Sequence, residues 1–68
     1  MSKTKIDITG VYESEGHSIT FTQREDDCNI YESYRVNGEE VTSHIVCGIE
    51  NATRYQEKYI KLGYDKIS

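Results

Sequence analysis

The sequence predicts an α+β domain. The expected architecture is a four-stranded antiparallel meander followed by one C-terminal helix packed on one face, in the order ββββα, with 1–68 as a single domain. Three observations carry this. Asn37-Gly38 separates two β-rich runs, and Asn-Gly is the strongest short-range hairpin signal because both central residues of a type I′ turn need φ > 0. In His17–Gln23, Ile19 and Phe21 alternate with Ser18, Thr20 and Thr22, the period of a half-buried strand. Farther on, Ala52, Tyr55, Tyr59 and Leu62 recur at three- and four-residue intervals, which is the apolar stripe of a helix.

Taken in order, a first strand is expected over residues 5–12, with Ile6 and Ile8 on one face and Gly10 marking a bulge. Glu13-Ser14-Glu15-Gly16 reads as a turn, His17–Gln23 as the second strand and Arg24-Glu25-Asp26-Asp27 as a polar loop. The third and fourth strands, residues 28–36 and 39–47, flank Asn37-Gly38. Setting Val36 opposite Glu39 aligns Arg35 with Glu40, Ser33 with Thr42, Tyr31 with His44, Ile30 with Ile45 and Cys28 with Cys47. Opposite charges, hydroxyls and aliphatics then meet, and such pairs stabilise a sheet. A helix starting at Ser43 is the competing reading. The β-branched Val41, Thr42, Ile45, Val46 and Ile49 oppose it, as does a mid-helix Gly48 at ~1 kcal/mol relative to Ala. The helix is therefore expected over residues 51–62, with Asn51 as N-cap and Gly63 just past its end. Residues 65–68 read as a loose tail.

This arrangement predicts a core containing Ile19, Phe21, Ile30, Ile45, Tyr59 and Leu62, with Tyr34, Tyr55, Val36, Val41 and the cysteines on the same side. Glu32 breaks the pattern. Alternation puts it on that face, as a bulge, as a position beyond the helix, or as a carboxylate reaching a partner or a helix lysine. The other face carries Asn29, Tyr31, Ser33, Arg35, Glu40, Thr42, His44 and Val46, and one helix cannot cover both. A domain this short buries only ~60% of its unfolded surface, so a homodimer is expected, through Tyr31 and Val46 on the open face or by strand-edge pairing.

Composition limits function. The formal net charge is −4, with ten acidic and four basic residues in 1–50 against two and four in 51–68. An acidic chain is a poor default ligand for phosphate backbones. The first residues lack the apolar stretch of a signal peptide, so a cytoplasmic location with reduced cysteines is expected, and Asn51-Ala52-Thr53 reads as a chance glycosylation match. Cys28, Cys47, His17 and His44 lack zinc-ligand spacing. No nucleophile elbow or glycine-rich phosphate loop is present. The chain is accordingly read as no enzyme, with no cofactor and no metal.

Two functional readings follow. The first is a small acidic protein-interaction module that binds and inhibits a larger basic or nucleic-acid-binding protein, of the kind phages and mobile elements encode. Its contact residues would be Tyr31, Arg35, His44 and Glu40 on the open face and Glu25, Asp26 and Asp27 in the acidic turn. The alternative is a single-stranded nucleic-acid-binding domain using the open face and the basic helix stripe Arg54, Lys58 and Lys61. Four strands then a helix also occurs in PUR-type and whirly-type single-strand binders, a likeness of architecture that does not carry function.

Overall fold

The computed structural model describes residues 8–68; Ile6 and the beginning of the expected first strand lie outside them. The elements are β1 (Gly10–Ser14), β2 (His17–Gln23), β3 (Asp27–Val36), β4 (Glu39–Gly48), α1 (Ile49–Lys61) and β5 (Asp65–Lys66). The strands form one antiparallel sheet in the order β4-β3-β2-β1-β5. The α+β architecture with one helix following the long strands is as expected, but the sheet has a fifth strand.

The central hairpin adopts the expected register throughout, from Val36 opposite Glu39 to Cys28 opposite Cys47. Asn37 and Gly38 both have positive φ, 55° and 82°, the backbone of a type I′ turn. A second turn of the same kind joins β1 to β2, where Glu15 and Gly16 have φ of 49° and 84°. β1 therefore runs to Ser14, and the expected four-residue turn shrinks to two. Gly10 is not a bulge. It stands in register opposite Phe21, and a Cβ there would lie 3.0 Å from Lys66 Cε and 3.3 Å from the Ser68 carbonyl oxygen.

That crowding comes from the C-terminal tail, which is not loose. The helix ends in a Schellman turn, with Gly63 N–H donating to Ile60 O at 3.1 Å and Tyr64 N–H to Tyr59 O at 3.0 Å. Gly63 takes φ 100°, and Tyr59 and Tyr64 pack edge to face with centroids 4.9 Å apart. This reversal aims the chain back at β1. Lys66 pairs with Tyr12 and Asp65 with Glu13, and Ile67 N–H donates to Val11 O at 2.8 Å.

The helix starts two residues earlier than expected. Asn51 is not its cap. Gly48, extended at φ −69° and ψ 163°, occupies the N-cap position without a side-chain bond, so strand passes into helix with no loop. This early start turns the stripe. Ala52 is fully buried, and Ile49, Tyr59 and Tyr64 pack on the core formed by Ile8, Tyr12, Ile19, Phe21, Cys28 and Ile30. Gln56 donates through Nε2 to the Ile8 carbonyl at 2.7 Å. Tyr55 and Leu62 are exposed.

Two residues of the expected core are therefore corrected. Ile45 is 44% exposed and Leu62 63%. Ile45 lies on the helix side of the sheet but on edge strand β4, and the helix packs its buried residues over β2 and β3. Tyr34 and Val36 are also exposed, at the turn end of β3. The buried tyrosine is Tyr12, edge to face with Phe21 at 6.0 Å.

Candidate functional site

Strand alternation presents Tyr31, Arg35, Glu40 and His44 on the face opposite the helix. Tyr31 and His44 stack in parallel, with centroids 4.3 Å apart and planes within 2°. His44 Nε2 lies 2.8 Å from Asn29 Oδ1. Because that oxygen can only accept, Nε2 carries the proton. Asn29, expected on an open face, is buried by this arrangement to 8% exposure. Glu40 takes a 2.6 Å hydrogen bond from Ser33 Oγ, so its carboxylate is held by a serine although Arg35 is its register partner. Between these groups lies a depression of about 540 Å³ lined by Ser18, Thr20, Tyr31, Ser33, Thr42 and His44. Its lining combines hydroxyls, the Tyr31–His44 platform and the Glu40 carboxylate.

The acidic turn is elsewhere. Glu25 and Asp26 in the β2–β3 turn and Asp27 at the start of β3 are all exposed, and Arg24 N–H closes the turn by donating to Asp27 O at 2.7 Å. Asp27 pairs with Gly48, immediately before α1. The cluster thus sits beside a helix N-terminus, where negative charge is favourable. Glu39 and Glu40 lie at the opposite end of β3 and β4. The seven sequence-selected residues therefore fall into two groups, one on the open face and one at the far end of the sheet.

A third region was signalled in the sequence only by Glu32. Its carboxylate does not bulge out, since the register is continuous on both sides with Ile19 and Ser43. It reaches the helix through a tyrosine rather than a lysine. Tyr59 OH donates to Glu32 Oε2 at 2.9 Å, Ser43 Oγ donates to Oε1 at 3.3 Å, and His17 Nε2 stands 3.4 Å from Oε2. His17 Nδ1 lies 2.5 Å from Tyr64 OH. The imidazole is ringed edge to face by Tyr34, Tyr59 and Tyr64 at 5.4 to 6.0 Å. Burial, then the Glu32 hydrogen bond and charge, push the Tyr59 phenol up to about 12. A small cavity of about 180 Å³ adjoins the cluster, between Ile19, Ile30, Ile45 and Tyr55. His17, Glu32, Ser43, Tyr59 and Tyr64 are joined by these contacts, which tie β2, β3, β4, the helix and the tail together. No spacing in the sequence connects His17 to Tyr64, which is why these partners went unseen.

Cys28 and Cys47 face each other as free thiols, one buried and one half-buried. Burial and the neighbouring Cys47 push the Cys28 thiol up, against nucleophilic use. Among the described residues no group of three or more His, Cys, Asp or Glu is placed to hold a metal ion. None of their helices is long and apolar enough to cross a membrane.

The last region is a groove of about 610 Å³ between the outer edge of β4 and the helix. It is lined by Ile45, Val46, Cys47 and Tyr55, with Asn51, Arg54 and Lys58 on the helix side. Sequence reasoning missed it because Ile45 and Tyr55 were expected inside. Comparison with known proteins finds no matching family model, curated protein or solved structure.

Proposed function

We propose that this chain is a small acidic protein-interaction module that binds a larger basic partner, such as a nucleic-acid-binding protein, and inhibits it by occupying its basic surface. The observation that supports this most is the placement of the acids. Among the described residues every Asp and Glu except Glu32 is exposed, and only Glu32 has a basic side chain, His17, within ion-pair distance. Unpaired exposed carboxylates steer association with a positive surface. Glu25, Asp26 and Asp27 form the densest group, with Tyr31, Arg35, His44 and Glu40 as a second contact region.

The nucleic-acid reading loses support from the geometry. It needs the Tyr31–His44 platform and the basic stripe Arg54, Lys58 and Lys61 to act together, as single-strand binders combine stacking with a positive groove. The platform is on the open face, and the stripe belongs to the helix that covers the other.

The test uses a labelled oligonucleotide and a capture experiment in parallel. Replacing Glu25, Asp26 and Asp27 with Gln, Asn and Asn should slow capture of a basic host protein and weaken its salt sensitivity, while fold stability falls by no more than about 1 kcal/mol, the value of negative charge beside the α1 N-terminus. Tight, salt-dependent binding of the wild-type chain to the oligonucleotide, lost in Lys58→Ala/Lys61→Ala, would refute the proposal in favour of the alternative.

A further inference from the structure

The two edges of the sheet are unlike. One is β5, a two-residue strand carrying Lys66, the short and charged kind of edge that resists pairing. The other is β4, ten residues long and free of proline and lysine. Its register against β3 is unbroken by any bulge. Val36 and Glu39 close a two-residue turn, so the N–H and C=O groups of alternate residues from Glu40 to Gly48 point away from β3. Among the described residues nothing pairs with them. Val46 on this strand is 56% exposed and Ile45 44%, and both line the groove against α1.

Charge identifies what fits. The groove is basic, with Arg54 and Lys58 along the helix, so it does not suit the basic partner proposed above. It suits an extended strand with an acidic start, and β4 is such a strand, beginning Glu39-Glu40. We propose that two copies of this chain pair antiparallel through their β4 edges about a two-fold axis near His44, making a continuous ten-stranded sheet. Thr42 then faces Val46 of the second copy, and Ser43 faces Ile45. Val41 of the second copy enters the apolar groove opposite Cys47. Glu39 of the second copy, on the helix side of its strand, comes up against Arg54. The same contact recurs at the other end, because the acidic start and the basic groove lie at opposite ends of one strand. This pairing leaves the Glu25–Asp27 turn and the open face free.

The test is sedimentation of the purified protein over a wide concentration range. The wild type should rise from 7.9 kDa to twice that mass. Glu39→Lys and Arg54→Glu change exposed residues and should leave the circular dichroism unchanged. Each should weaken self-association by about tenfold, because the contact occurs twice. An equimolar mixture of the two variants should recover the wild-type affinity as a heterodimer. At one end the two substituted positions then meet with their charges exchanged, and at the other the native Glu39–Arg54 contact remains. A wild type that stays monomeric, swaps without effect, or a mixture no tighter than its components would each overturn the proposal.

Discussion

Ile30 and Ile45 are the same residue type, directly paired in the sheet and on the same face, yet one is 3% exposed and the other 44%. Truncating each to Ala isolates the effect of the helix footprint. The change removes three carbons, worth about 2.4 kcal/mol at ~0.8 kcal/mol each when fully buried. At Ile30 a cavity term adds to this, placing the loss at about 3–4 kcal/mol. That is a large share of the ~3–10 kcal/mol available to a domain of this length. At Ile45 slightly over half of the residue is shielded and water can fill the gap, so the loss is about 1 kcal/mol. Urea unfolding of both variants, at concentrations low enough to keep the chain monomeric, gives the two values from midpoint shifts at constant slope. Equal losses would refute the reasoning, because they would mean that the helix covers β4 as fully as β3.

Gly38→Ala should cost about 1–2 kcal/mol through backbone strain alone, since φ is 82° and no atom lies within 4 Å of the added methyl; calorimetry checks this. Gly10→Ala should instead loosen the tail, because the new Cβ meets Lys66 and the Ser68 carbonyl, and hydrogen exchange at the Ile67 amide should rise sharply. Tyr59, raised from 10.0 to about 12, holds its proton more tightly folded than unfolded. Its stabilising contribution is thus complete below pH 10.0 and lost as pH rises through about 12. Phenolate absorbance should show it ionising late in the wild type and earlier in Glu32→Gln, and Tyr59→Phe should remove that part of the alkaline instability.

Much of the fold was legible where short-range chemistry decides it. Asn37-Gly38 demands a turn with two positive φ angles, and one turn aligns ten pairs of residues by covalent geometry alone. The alternation of His17–Gln23 likewise places Ile19 and Phe21 inward with no tertiary information. Glu15-Gly16 was the same kind of turn with a weaker signature, because Glu rarely takes positive φ. Of the site residues, the Tyr31–His44 pair was readable from register, and the anomaly at Glu32 was visible as a polar residue on the apolar face.

What tertiary structure decided is where the helix lies. Register says which face of the sheet a residue is on, but not how far a helix reaches across it. Gly48 lets the chain enter α1 without a loop, and the packing of Ala52, Ile49 and Tyr59 over β2 and β3 then leaves Ile45, Tyr55 and Leu62 outside. The Schellman turn at Gly63 sends the tail to β1 and brings Tyr64 to His17, a contact between residues 47 positions apart. Sequence determined the strands and their pairing because those depend on neighbours along the chain and across one turn. The core boundary, the tyrosine cluster and the groove beside β4 depend on contacts between distant segments, which only the folded chain brings together.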